Sequence, residues 1–347
     1  MTVSVRSFAF CVLAYNHQDY IVEHLESIKY LIDTYGQGID IQLIFNDDCS
    51  KDRTVALAEA WLADNAGLFC SVTRLYNESN LGTCRSFCNI VNALTSQYCK
   101  ITAGDDVYSY ENLFEGAPQL ARADIVSGIP LDLTDGVISK RNSDVFHMVA
   151  SSLVYEGDTL LNRFKGISVN NAPNIFYGAQ HLKSVAVQQF VGGFDVVEDW
   201  PLQIAIAESS EHARFELLNK VFVYYRRTPG STYIVASSRF CKDHQKVYDY
   251  LIGKETSIFS RLVLKNRLLC FKSNSKLIKR LCNLAVLSYG LKCILKMPMI
   301  RRRVAEFTPD VARHARHYSA MTSAAQRFQM AVSVAEQLPQ LRNLEKH

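Results

Sequence analysis

No G-x-G-x-x-G follows the first apolar run of this 347-residue chain, and no G-x-x-x-x-G-K-S/T occurs in it. The first absence disfavours a dinucleotide-binding Rossmann domain, and the second removes a P-loop nucleotide site. Ten cysteines include no C-x-x-C pair; Cys84 and Cys88 share a helical face but have no second pair to complete a zinc site. Buried, reduced thiols in a cytosolic protein are therefore expected. Met1–Arg6 lacks the charged and apolar layout of a signal peptide. There is no internal repeat and no low-complexity linker. Charge is modest, 21% of residues with a net +4, while 48% are hydrophobic, so the chain can bury a substantial core and is not disordered. Its length suits one large domain with an appendage, or two domains.

What is present is an alternation of strand and helix. Phe8–Ala14 is a continuous apolar run of buried-strand length, after which Ile21, Leu25, Ile28 and Ile32 recur at helical spacing. Ile41–Phe45 predicts a second strand, and Val55, Leu57, Ala58, Trp61 and Leu62 form the apolar side of a helix beginning near Asp52. A third strand, Phe69–Leu75, the turn Asn80-Leu-Gly82 and a helix through Ile90, Val91 and Leu94 lead to a fourth strand, Tyr98–Thr102. This order implies right-handed crossovers and a mostly parallel α/β sheet. Further strands are expected at Asp124–Ser127, Val145–Val149 and Lys220–Tyr225, and from about residue 236 the chain turns helical and basic.

Strands two and four run straight into paired carboxylates, Asp47-Asp48 and Asp105-Asp106. Adjacent Asp residues repel and are costly to desolvate, so a fold keeps them where water, a helix N-terminus or a cation compensates. In an open α/β sheet the carboxyl ends of the strands are where ligands bind. Two such pairs at neighbouring strand ends suggest one site for a nucleotide and a divalent metal. Each motif also has an ordinary explanation. Asp47, Asp48, Ser50 and Asp52 suit a loop and helix cap, the preferred reading for Asp52. Tyr15 is placed to stack on a base or merely to pack. Asp199, ahead of Trp200-Pro201, is well suited to an N-cap because Pro is tolerated in the first helical turn.

Together with Val12-Leu-Ala-Tyr-Asn16 after the first strand, and with Glu198-Asp199, these motifs resemble the family 2 glycosyltransferases over roughly residues 6–235. Those are inverting enzymes of the GT-A fold, among them the glycosyltransferases that build bacterial surface polysaccharides. The resemblance implies a nucleoside-diphosphate sugar as donor, a UDP-sugar being the family's commonest, and a saccharide or lipid-linked saccharide as acceptor. It implies nucleotide contacts from Ala14, Tyr15, Asn16, Asp48 and Asp105, with Arg226 or Arg227 neutralising phosphate charge. Mg²⁺ or Mn²⁺ is expected on Asp105, with Asp106 a second ligand, a ligand through water, or a holder of the loop. The family's commonest form of this motif begins with another Asp, where this chain has Ala103. Asp199 is implied as general base, Glu198 as its positioning neighbour. Tyr225–Thr232 resembles the basic, flexible segment after the last catalytic strand. The implied organisation is a catalytic domain over 1–235, with a nucleotide half 1–110 and an acceptor half 111–235, followed by a basic helical region 236–347. Two rival readings are a catalytically silent nucleotide-sugar or glycan-binding module and a sugar-nucleotide pyrophosphorylase. The latter opens with a glycine-rich basic loop, where this chain has Leu13-Ala-Tyr-Asn-His17.

The tail has a pattern of its own. Thr256–Arg303 holds twelve Lys/Arg and no Asp/Glu, although the whole chain is only +4. Leucines recur through it at roughly helical intervals, but Lys292 and Lys296 interrupt its most apolar part, short of the about twenty uncharged residues a membrane span needs. A basic amphipathic helix pair fits a cytoplasmic protein adsorbed to an anionic membrane surface at its inner face. Packing of the apolar stripe on the catalytic domain, with the cations solvated, is the plainer reading. No motif supports nucleic-acid binding.

Overall fold

The computed structural model describes residues 5–227 and 238–344, with side chains as far as residue 336. Its central sheet is parallel throughout, in the order β3-β2-β1-β4, with β1 (Ser7–Ala14), β2 (Asp40–Asp47), β3 (Ser71–Tyr76) and β4 (Tyr98–Ala103). The four expected strands are all there. Both faces of β1 are buried, which explains its unbroken apolar run: Phe8, Phe10 and Val12 join one core, Ala9 and Cys11 the other. Helices α1 (Ile21–Tyr35) and α2 (Thr54–Asn65) pack on the first face, and α3 (Thr83–Ala93) covers the second. The strand register aligns the carboxyl ends. Ala14 pairs with Asp47, Leu13 with Ala103 and Asp47 with Tyr76, so four strands deliver their loops to one rim.

Beyond β4 the strands are short. β5 (Val107–Tyr108), β11 (Val223–Arg226), β7 (Leu131–Thr134) and β8 (Val137–Ser139) form a second sheet in that order. A third has the order β10 (Phe215–Leu217), β6 (Ile125–Ser127), β9 (Ile175–Tyr177). The strand expected at Val145–Val149 is instead part of helix α4 (Asn142–Val154). Val145, Met148 and Val149 are its buried side, at i, i+3 and i+4, a spacing that a short apolar run does not separate from a strand. Then come α5 (Leu160–Lys165), α6 (Ala179–Leu182), α7 (Val185–Val191) and α8 (Asp199–Ser209).

The tail is helical as expected: α9 (Ser238–Lys254), α10 (Ile258–Lys272), α11 (Lys276–Leu281), α12 (Leu284–Leu295), α13 (Met297–Glu306) and α14 (Val311–Leu344). Part of it packs into the same cores as the rest. Ala325 of α14 joins the core of Phe8 and Trp61, while Tyr289, Ile300, Tyr318 and Met321 join that of β7 and α4. The expected boundary near 235, and Thr228–Thr232 of the expected flexible segment, lie outside the described residues. All ten cysteines are unpaired and five are buried, so burial accounts for half of them.

Candidate active site

The rim is stitched together by its own carboxylates. Asp47 accepts from the backbone N–H of Ser50 at 2.8 Å, and Asn16, in the left-handed region with φ 55°, accepts from Lys51 N–H at 2.8 Å. The Asn16 N–H in turn donates to Ser50 Oγ at 2.8 Å. Asp52 accepts from Thr54 N–H at 2.9 Å and from Gln18 N–H at 3.0 Å; the N-cap position of α2 is Arg53, so Asp52 sits one residue ahead of the expected cap and ties the loop to the first turn. Asp48 is buried and accepts from three donors: the N–H groups of Leu81 (2.7 Å) and Gly82 (2.9 Å), and the Asn77 amide (2.9 Å). Gly82 needs to be glycine there, since its φ is +84° and a Cβ would meet the Asp195 carbonyl oxygen at 2.5 Å. Fixing both loops leaves Tyr15, 44% exposed, at the lip.

At the end of β4 the two Asp residues separate in role. The Asp106 carboxyl is buried and accepts from the Arg226 backbone N–H at 2.9 Å; burial, with Asp105 adjacent, pushes it well above the usual carboxylate range. Asp105 is half-buried at the cavity wall, and its carboxylate takes no hydrogen bond among the described residues. Arg226 donates from Nε to the Asp105 carbonyl, pairs with Glu23 and lies 4.5 Å over the Tyr20 ring. Its charge is thus already compensated. Arg227 reaches the neighbouring cavity and pairs with Asp144 at 2.8 Å and Asp132 at 3.1 Å.

Glu198 and Asp199 approach from the opposite wall, at the start of α8. Asp199 Oδ1 accepts from Trp200 N–H at 2.7 Å, so the carboxylate is held at a helix start and still faces the cleft. What aims the pair lies in α9. Asp243, 1% exposed, accepts from three consecutive N–H groups, those of Asp195, Val196 and Val197, at 2.8, 2.7 and 3.2 Å. Arg239 adds a two-pronged ion pair to Asp195, at 2.5 and 2.6 Å. Burial, then the adjacent Asp199, pushes Glu198 up to about 8; burial also raises Asp199. A carboxyl so raised keeps its proton in the folded chain after the unfolded chain, at 4.5, has lost it. Its contribution is therefore fully present below pH 4.5 and is lost as pH rises through about 8. Glu198→Gln is expected to flatten this fall: melting curves between about pH 5 and pH 8 should show wild type losing stability relative to the variant. Parallel curves would contradict a proton-holding Glu198.

One cavity of about 430 Å³ gathers Ala14, Tyr15, Asp48, Asp105, Asp106, Glu198, Asp199 and Arg226; Asn16 and Arg227 are not in its lining. A second cavity, about 620 Å³, shares Pro173, Val197, Asp199 and Tyr225 with it and is walled by Trp200, Tyr248, Arg267 and Phe271. A larger one of about 750 Å³, around Arg163 and Glu211, contains none of these carboxylates. Asn46 also lines the first cavity, fully buried, with neither its amide nitrogen nor its oxygen partnered. An unpaired buried amide is costly, and a bound ligand or water would relieve it. Asn46, Asp243 and the aromatic wall were not singled out from the sequence; only Asn46, one polar residue at a buried strand end, left any local signal. Among the described residues no group of three or more His, Cys, Asp or Glu forms a ready metal cage.

A parallel α/β sheet whose strand ends meet paired carboxylates across a cleft is the architecture of the GT-A fold. A model described as glycosyl transferase family 2 matches residues 9–185, just over half the chain, and the protein belongs to that family of glycosyltransferases. It is 30% identical over 105 residues to abequosyltransferase RfbV of Salmonella typhimurium strain LT2, a match spanning 30% of each chain. The fold is similar to that of S. aureus TarS 1–349 in complex with UDP-GlcNAc (TM-score 0.54, 15% identity, 92% of both chains). The chain spans 54% of the longer TarS structure. It is also similar to the mannosyltransferase PcManGT of Pyrobaculum calidifontis with GDP-Man and Mn²⁺ (TM-score 0.52, 14% identity, 94% of this chain and 87% of that one).

Proposed function

We propose that the protein moves a sugar from a nucleoside-diphosphate sugar, a UDP-sugar first among candidates, to a saccharide or lipid-linked saccharide acceptor in surface-polysaccharide synthesis, with inversion. The observation carrying this reading is that two cavities meet at Asp199. The carboxylate-rimmed cavity suits the donor, with Tyr15 at its lip and the unpartnered Asn46 amide able to give and accept a hydrogen bond to a base. The aromatic cavity suits a saccharide, whose apolar ring faces pack on Trp200 and Tyr248 while Arg267 offers hydrogen bonds. Asp199 at their junction takes the proton of the acceptor hydroxyl as it attacks the anomeric carbon. A single displacement inverts that carbon; retention needs a second carboxylate acting as nucleophile.

Asp105 would hold Mg²⁺ or Mn²⁺. The fit is sound, because such a cation takes one or two protein carboxylates and completes its shell with phosphate oxygens and water, and Asp105 offers an unengaged carboxylate at the cavity wall. When bound, the cation neutralises charge on the leaving diphosphate. Asp106, committed to the Arg226 N–H, holds the turn on which Asp105 sits. The GDP-Man and Mn²⁺ in the mannosyltransferase structure and the UDP-GlcNAc in TarS support this chemistry.

The test is a panel of nucleotide sugars with Mn²⁺, read by melting temperature and by release of nucleoside diphosphate. At a hundredfold excess over Kd a true donor stabilises by about 2.7 kcal/mol, a shift of a few degrees. Stabilisation with no release, even with oligosaccharide acceptors, would favour a silent binding module instead. No stabilisation by any member would remove the donor site.

A further inference from the structure

Helices α10 and α12 each carry two apolar sides, and only one of them is covered. In α12, Ala285, Tyr289 and Cys293 are buried, the last two in the core of β7 and α4. Leu284, Leu287, Leu291 and Leu295 recur at i, i+3, i+7 and i+11 on the opposite side and are exposed, Leu295 by 75%. The same division runs through α10. Leu264 is buried and Arg267 and Phe271 enter the aromatic cavity, whereas Ile258, Phe259, Leu262 and Leu269 point outward, Phe259 being 73% exposed. The short α11 buries no residue at all and exposes Leu277, Ile278 and Leu281. Asn266 ties these helices into one surface, donating to the Cys282 carbonyl at 3.0 Å and accepting from Leu284 N–H at 2.9 Å. An apolar surface of this extent is the mark of a partner or a membrane, not of ordinary solvent exposure.

Charge selects the occupant. Lys265, Lys272, Lys276, Lys279, Arg280 and Arg301 lie exposed in the same segment, with no acidic partner among the described residues. A two-fold contact with a second copy would set these cations against their own equivalents. A nucleic acid would neutralise them but has no use for the leucine and isoleucine stripe, and Phe259 is the one exposed aromatic side chain in it. An anionic lipid surface satisfies both features at once, phosphates meeting the cations and acyl chains the leucines. No described helix is long and apolar enough to cross a membrane, so the contact is with its surface.

We propose that the outer face of α10–α13 docks the enzyme on an anionic lipid bilayer. Because α10 presents its other face to the aromatic cavity, docking brings that cavity next to the lipid surface, where a lipid-carried acceptor would be met. The docking itself does not depend on the chemistry proposed above.

The full chain is sedimented with vesicles of phosphatidylcholine, with and without phosphatidylglycerol. Binding is expected only with phosphatidylglycerol, to weaken with added salt, and to fall by about tenfold or more in Lys276→Glu/Lys279→Glu/Arg280→Glu. Leu287→Asp/Leu291→Asp should also weaken it, with only a small drop in melting temperature, because both side chains are exposed (48% and 60%) and belong to none of the cores. Nucleoside-diphosphate release with a water-soluble acceptor is expected to stay at wild-type level in both variants, so loss of docking and loss of catalysis are read separately. The proposal is overturned by equal partition into neutral vesicles, by wild-type binding of the charge-reversed variant, or by absence of anionic-vesicle binding. Self-association that the leucine variant abolishes, without vesicle binding, would assign the face to a second copy. RNA binding without vesicle binding would assign it to nucleic acid.

Discussion

Asp105→Asn is expected to abolish sugar transfer while leaving the folded structure and its melting temperature unchanged, and EDTA should do the same to wild type. The separation of function from stability comes from how the turn after β4 is built. Arg226 grips the Asp105 backbone carbonyl and the Asp106 carboxylate, so the turn does not depend on the Asp105 side chain. Asn removes the negative charge that a divalent cation needs and preserves shape. Asp106→Ala gives the contrast: it leaves the buried Arg226 N–H without an acceptor, which costs about 1–3 kcal/mol, and loosens the turn. Measured together, Asp105→Asn should lose Mn²⁺-dependent activity at full stability, and Asp106→Ala should lose stability as well. Full activity in EDTA, or in Asp105→Asn, would end the metal-assisted reading.

The part of this architecture legible in the sequence is the part whose determinants are local. Phe8–Ala14 is apolar on both faces, and Ile41–Phe45 is so but for the buried, hydrogen-bonded Gln42, because the sheet is covered on both sides; each leads to residues that must face a cleft. That pattern by itself locates the rim. Val145–Val149 shows where local reading runs out. Five residues do not distinguish a buried strand from one and a half turns of helix, and the helical side becomes visible only with Asn142 and Val154 at its ends.

Long-range partners are out of reach for a different reason. Asp243 serves the loop before Glu198 from far along the chain, and nothing near it announces that three backbone N–H groups will converge on its carboxylate. Arg226 is available for phosphate as far as its neighbours in sequence show, yet Glu23, on α1, takes up its charge. In the tail the helices are legible but their inward sides are not. Tyr289 and Cys293 are buried while Leu287 and Leu291, the more hydrophobic choice, face out. Hydropathy alone would turn α12 the other way. What overrides it is the tertiary environment of β7 and α4, a choice that physical pattern rules leave open.

Asp199→Asn is expected to lower turnover by about two to four orders of magnitude with nucleotide-sugar binding retained. The titration of the pair separates the two roles. Two carboxyls side by side in a largely desolvated wall do not both ionise easily. Glu198 is pushed up to about 8, by burial first and the adjacent Asp199 second, so it mostly holds its proton at neutral pH, which favours Asp199 as the base. Asp199 is raised as well, by burial, yet two backbone N–H groups, those of Trp200 and of Asp199 itself, favour its charged form, whereas Glu198 has only its own. Asp199 also lies where the two cavities meet. Asn at 199 keeps the acceptor oxygen for Trp200 and removes the basicity, so the helix start survives and proton transfer does not. Glu198→Gln, in contrast, should spare most of the rate, because a neutral amide replaces a carboxyl that is already neutral. The pH profile supplies an independent check. The acidic limb of kcat/KM in wild type should lie above the ordinary aspartate range, reflecting the raised Asp199. In Glu198→Gln that limb should stay close to its wild-type position, since one uncharged neighbour replaces another. A rate collapse in Glu198→Gln with Asp199→Asn nearly unaffected would reverse the two assignments.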